Sequence, residues 1–139
     1  MNFTRRDALV IGAGAVTAAM LPIKAFASLA DDAEAAFTGG AATSDGGIEL
    51  TAPEIAENGN TVPVGVSAPG AVSIIIIAAG NPNPDVCTFN FGPLAGSQSA
   101  STRMRLSGTQ DVVAIAKMAD GSFVRAASTV KVTIGGCGG

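Results

Sequence analysis

The sequence predicts an all-β protein: an antiparallel, immunoglobulin-like β-sandwich with a short N-terminal helix and a flexible C-terminal Gly-Gly-Cys-Gly-Gly arm. Three observations predict it. Apolar residues recur at every second position in short runs, turn formers separate those runs, and no long stretch repeats with the period of a helix. About seven strands at this spacing suit two packed antiparallel sheets.

Taken in order, residues 1–27 read as an export signal. Met1 to Arg6 is short and basic, Ala8 to Leu21 is apolar and rich in small residues, and Ala25-Phe26-Ala27 suits a signal peptidase cutting before Ser28. The apolar run is too short for a spanning helix. Arg5-Arg6, after Thr4 and before Leu9, suggests the twin-arginine route, although Ala8 and Val10 stand where that signal usually has Phe and Lys. An ordinary export signal with two basic residues is the alternative, and both lead out of the cytoplasm to the periplasm.

Residues 28–134 are expected to form the sandwich domain and 135–139 the arm. Cleavage leaves 112 residues, enough for one domain with a core. Arg5, Arg6, Lys24 and Asp7 leave with the signal, so 5 basic and 10 acidic residues remain, a net charge of −5. An acidic domain without basic clusters, Tyr or Trp is a poor nucleic-acid binder. No second long apolar segment follows, so no membrane association is expected after signal removal.

Asp31 to Phe37 reads as a short helix, with Asp31 and Asp32 at its positive end and Gly39-Gly40 ending it. The period then changes to two. Ile48 and Leu50 alternate with polar neighbours, as do Val62, Val64 and Val66, then Thr102, Met104 and Leu106, then Val113 and Ile115, then Val130, Val132 and Ile134. Between them lie Glu57-Asn58-Gly59-Asn60, Pro69-Gly70, Asn81-Pro82-Asn83-Pro84, Gly92-Pro93, Ser107-Gly108 and Asp120-Gly121. Pro63 points to an edge strand. Ile74, Ile75, Ile76 and Ile77 break the alternation and make both faces of one strand apolar. Either the domain covers both faces, or the second face docks a partner subunit.

The chain has no histidine, tryptophan or tyrosine. Without His, neither a Ser-His-Asp triad nor a Cys-His pair can form within it, and the usual zinc, copper and haem sites lose their commonest ligand. No metal and no cofactor are expected, and no catalytic residue. Two cysteines remain. Cys87 falls in step with Phe89 and Phe91 on one face of a strand, where a thiol is ordinarily a small buried hydrophobe. Cys137 sits among Gly135, Gly136, Gly138 and Gly139, directly after the last strand. Four glycines leave that segment without side chains to pack, thin enough to enter another protein's active site. From Ile134 the thiol reaches roughly 10 Å through three extended residues. Nothing basic stands near it in sequence, so activation would come from whatever receives the arm. A disulfide between Cys87 and Cys137 is the competing arrangement. It would make the protein a thiol–disulfide redox protein, although the C-x-x-C spacing of such proteins is missing. A third alternative is a purely structural or binding sandwich with an incidental tail.

The ending Val130-Lys131-Val132-Thr133-Ile134-Gly135-Gly136-Cys137-Gly138-Gly139 resembles the signature of the SoxY family, the sulfur-compound carriers of bacterial thiosulfate oxidation. The likeness includes Pro53-Glu54-Ile55-Ala56-Glu57-Asn58-Gly59-Asn60-Thr61-Val62-Pro63-Val64 and Asn81-Pro82-Asn83-Pro84. It continues through Thr102-Arg103, Arg105-Leu106, Thr109-Gln110 and Asp120-Gly121-Ser122-Phe123. The resemblance implies that Cys137 is the covalent attachment point for thiosulfate-derived sulfur. It implies a SoxZ-like subunit as heterodimer partner. It also implies transient contacts with a haem-containing coupling enzyme, a sulfate-releasing hydrolase and, in some pathways, a sulfane dehydrogenase. On this reading the chain is a substrate carrier acted on by enzymes, not an enzyme itself, and Ile74–Ile77 is the candidate partner surface, with Phe123 and the Thr102-to-Leu106 strand as equal candidates to contribute to it.

Overall fold

The computed structural model describes residues 25–135, with side chains described from Leu29 onward. Residues 1–24, the greater part of the segment 1–27 expected to be an export signal, and Gly136, Cys137, Gly138 and Gly139 lie outside the described residues.

The first element, α1 (Ala25–Thr38), is longer than the sequence pattern suggests. It runs through Ala25–Ala30, small and apolar residues compatible with a helix, so Asp31 and Asp32 lie in its middle rather than at its positive end. It ends as expected. Gly39 and Gly40 take φ of 66° and 85°, a conformation that glycine enters without steric cost. The Thr38 hydroxyl donates to the Glu34 carbonyl at 3.0 Å and accepts from the Gly40 N–H at 3.3 Å.

Among the described residues nine strands follow: β1 (Thr43–Asp45), β2 (Glu49–Thr51), β3 (Ile55–Ala56), β4 (Val62–Ser67), β5 (Ala71–Ala78), β6 (Asp85–Asn90), β7 (Ser99–Met104), β8 (Gln110–Met118) and β9 (Phe123–Val132). They form two sheets. The larger runs β1-β9-β8-β5-β6, with β3 also paired to β9, and the smaller runs β2-β4-β7. The pairings are antiparallel except for β1 and β3, which lie parallel to β9. The expected sandwich is the observed architecture. Its additional strands are two or three residues long, too short to show a period.

The alternating residues do what their period requires. Val62, Val64 and Val66 of β4 face Ile74, Ile76, Val112, Ala114 and Val130 of the larger sheet, with Met104 and Leu106, in one core between the layers. Each such aliphatic side chain contributes roughly 1.5–3 kcal/mol by leaving water.

Ile75 and Ile77 point the other way. They pack with Val113, Ile115 and Phe123 beneath Ala30, Ala33 and Phe37, which recur on one face of α1. The Phe37 and Phe123 rings meet edge to face, centroids 5.9 Å apart, and Glu34 pairs with Arg125 at 3.4 Å. Ile74, Ile75, Ile76 and Ile77 are thus all buried inside the chain. The expectation of a partner surface at these four residues is corrected: α1 fills that role, and no side chain of the run is left at the surface to dock another subunit.

Pro63 is likewise not on an edge strand, because β4 is the middle strand of its sheet. The pairs with β2 end at Thr51–Gly65, however, so β4 has an open flank at Pro63, where a missing N–H costs no ladder bond.

Candidate functional site: the root of the C-terminal arm

Strand β9 carries the chain to the arm, and its last residues are tied down on both sides. On one side, the Lys131 N–H donates to the Glu54 carbonyl at 2.9 Å and the Thr133 N–H to the Ala56 carbonyl at 3.1 Å. The Thr133 hydroxyl donates to the Glu57 carbonyl at 3.1 Å. On the other, Thr109 Oγ1 accepts from the Val132 N–H at 3.0 Å and donates to the Val132 carbonyl at 3.4 Å. Gly59 closes the junction: its N–H donates to the Ile134 carbonyl at 2.8 Å, and its carbonyl accepts from the Leu106 N–H at 2.7 Å.

Beneath this lies a buried polar cluster. Asn81 is 3% exposed and Gln110 8%, far below what unpaired amides tolerate. Asn81 Nδ2 donates to the Arg105 carbonyl at 2.7 Å, while its Oδ1 accepts from the Ser107 N–H at 3.0 Å and from Gln110 Nε2 at 2.9 Å. Gln110 Nε2 also donates to the Gly108 carbonyl at 3.0 Å, and its Oε1 accepts from the Gly80 N–H at 2.9 Å. The two amides hold the 105–110 turn in one shape. Among the described residues no buried side-chain nitrogen or oxygen lacks a partner.

Gly135 rests on that turn. A Cβ at Gly135 would lie 2.5 Å from the Ser107 carbonyl oxygen, closer than real Cβ contacts come, so only glycine fits. The sequence places Gly135 in the arm for its freedom. The structure gives it a different requirement, close backbone approach, and makes it the arm's root. A similar constraint holds at Gly80, where a Cβ would lie 2.9 Å from that of Gln110. Two large apolar side chains stand out beside the root on the β3–β9 pair, Ile55 at 59% exposure and Ile134 at 68%.

Segments 53–60, 81–84, 105–106 and 109–110, noted in the sequence as turns and family-like motifs, therefore converge at one end of the sandwich. Sequence reasoning missed Asn81, Ser107 and Gln110 as a joint. The available signal was a set of polar residues inside motifs whose neighbours are apolar strands.

Cys87 is elsewhere. It carries a free thiol, half-buried on the edge strand β6 and packed with Phe89 and Phe91 against the core. The expectation of a fully buried thiol is thus met only in part, because β6 has no neighbour on its outer side. Val86 bulges: Ile76 pairs with Cys87 and Ile77 with Asp85, leaving Val86 unpaired. Desolvation pushes the Cys87 pKa up, so at neutral pH it is a thiol and a poor nucleophile. Cys87 is level with Ile76, four strand residues, roughly 13 Å, short of Gly80 and the arm root. A bond to Cys137 would require the arm to turn back along the sheet.

With this geometry in place, the comparisons with known proteins are decisive. The chain matches the family of the sulfur oxidation protein SoxY over residues 33–137, a match that ends on Cys137. The chain belongs to the SoxY family. A solved structure of the sulfur carrier protein SoxY from Chlorobium limicola f thiosulfatophilum is 40% identical, with a TM-score of 0.66, over 78% of this chain and 99% of that one. A superoxide reductase (neelaredoxin) from Ignicoccus hospitalis is 20% identical, with a TM-score of 0.54, over 63% of this chain and 80% of that one. That likeness is one of fold alone. No curated protein matches the chain.

Proposed function

We propose that this SoxY-family chain is a periplasmic carrier that holds thiosulfate-derived sulfur covalently on Cys137 and presents it to sulfur-oxidising enzymes. The observation that carries the reading is the family match running through Cys137, joined to an arm root built at the end of β9. The chemistry follows from the thiol. A haem-containing enzyme couples Cys137 to thiosulfate: the S–S bond forms, one proton leaves, and two electrons pass to the haem enzyme. The product is a cysteine S-thiosulfonate. A hydrolase then adds water across the S–SO3 bond, releasing sulfate and a proton and leaving a persulfide. Where a sulfane dehydrogenase is present, further oxidation and hydrolysis restore the thiol. The carrier supplies the thiol and its reach, and the enzymes supply the catalytic groups.

Export by the twin-arginine route and assembly with a SoxZ-like subunit belong to the same proposal. The Chlorobium protein's description as a sulfur carrier supports it, as does the basic and apolar layout of residues 1–27. The test is thiosulfate oxidation reconstituted with the pathway enzymes. Cys137→Ser is expected to abolish it and Cys87→Ser to leave it near the parent rate. Loss of activity with Cys87→Ser while Cys137→Ser still works would overturn the proposal.

A further inference from the structure

We infer that Gly135, Ser107, Asn81 and Gln110 form a fixed pivot for the C-terminal arm, positioning residues that set how far Cys137 can reach. The inference rests on Cys137 being the sulfur-bearing thiol. Its structural basis is independent of that reading. The Ser107 carbonyl leaves no room for a Cβ on Gly135, and Ser107 itself is held through its N–H by Asn81 Oδ1 and through its hydroxyl by the Gly80 carbonyl at 3.3 Å. Asn81 is held in turn by Gln110, and both amides are buried. The Ile134 carbonyl is fixed by the Gly59 N–H immediately before the root.

The consequence is a shorter tether than the glycine count suggests. Measured from Gly135 rather than Ile134, the α-carbon of Cys137 can lie no farther than roughly 7 Å from one point, the span of two extended residues. A short tether on a rigid base raises the effective concentration of the thiol at a site docked against that base. An enzyme must therefore bring its active site to the end of the sandwich, where Ile55 and Ile134 are exposed. A misplacement of the root by an ångström or two changes which sites the thiol can enter.

The experiment uses the whole chain with Cys87→Ser and Ser99→Cys, spin-labelled at residues 99 and 137. Electron-resonance distances are measured with Gly135 and with Gly135→Ala. A distance distribution no wider than the short tether permits is expected for the parent, with its mean shifted or its width increased by several ångströms in Gly135→Ala. Hydrogen exchange at the Gly59 amide is expected to speed up in Gly135→Ala, which reports the root even where the label shift is small. In parallel, enzymatic loading of Cys137 in chains without the label is expected to fall roughly tenfold or more in Gly135→Ala. Alkylation of Cys137 by iodoacetamide and the far-UV circular dichroism of the chain should both stay those of the parent, a combination that a general loss of structure would not give. Identical distances and identical Gly59 exchange in the two chains would overturn the pivot. Should the parent never take up sulfur, the carrier reading fails, and the distances and exchange still decide the pivot.

Discussion

The two ends of the sandwich are built by different means. At the end where β8 turns into β9, the turn's own bonds are local: Asp120 accepts from the Ser122 N–H at 2.9 Å and from its hydroxyl at 2.6 Å, two residues away, and Gly121 takes the φ of 87° that the hairpin needs. The long-range ties there are made mostly by backbone and exposed groups: the Ala119 N–H donates to the Gly70 carbonyl at 3.0 Å, Gln98 Oε1 accepts from the Gly70 N–H at 3.3 Å, and the Ser44 hydroxyl donates to the Phe123 carbonyl at 3.5 Å. At the arm end the side-chain bonds span 24 residues from Asn81 to Arg105, 30 from Gly80 to Gln110 and 76 from Glu57 to Thr133. A turn that only reverses the chain can be encoded by three adjacent residues. A joint that fixes where a strand ends is tied to other parts of the fold, and at the arm end two buried amides, Asn81 and Gln110, do the tying.

That contrast can be broken by substitution, with the largest effect expected at the arm end. Asn81→Ala removes two acceptor contacts and one donor, leaving the Ser107 N–H and Arg105 carbonyl without their partner. A loss of about 3 kcal/mol in a urea unfolding series is expected. Gln110→Ala, which strands the Gly80 N–H, should cost about 2 kcal/mol in the same measurement. At the opposite end Gly121→Ala forces a side chain into the left-handed region and should cost about 1 kcal/mol. If Gly121→Ala proves more damaging than Asn81→Ala, the two ends do not differ as described.

The smallest effect is one of pH. The Ser122 hydrogen bonds stabilise the charged form of Asp120 and hold its pKa below the ordinary carboxylate value. The unfolded chain therefore binds the proton first as pH falls. The contribution is present above the ordinary carboxylate value and is lost as pH drops through the depressed one. Because the group is fully exposed the effect is slight, and Asp120→Asn should flatten the acid side of a urea midpoint series below about pH 5.

Much of this was legible in the sequence. Period two revealed β4 because it places alternate side chains in one core, whereas β8 is buried on both faces and its Val113 and Ile115 lie under α1. The isoleucine run correctly signalled a strand buried on both faces. The cover over Ile75 and Ile77 was misassigned because the helix face that supplies it consists of Ala30, Ala33 and Phe37, and two alanines give little apolar contrast. Strands β1 and β3 were invisible, since three and two residues cannot display a period and their parallel pairing to β9 depends on distant chain. Asn81 and Gln110 looked like turn residues. Their partners lie 24 to 30 positions away, and sequence spacing carries no sign of such a pair. Gly135 was read for its freedom, whereas its contact with the Ser107 carbonyl requires glycine for close approach.

The most direct test of the account is intact-mass spectrometry, without reductant, on mature protein from cells supplied with thiosulfate, with fragmentation to localise any adduct. Added sulfur and sulfonate masses on Cys137 alone, absent from Cys137→Ser, are the expected result. An unmodified Cys137, or one consistently bridged to Cys87, would contradict the central claim and favour a redox disulfide instead.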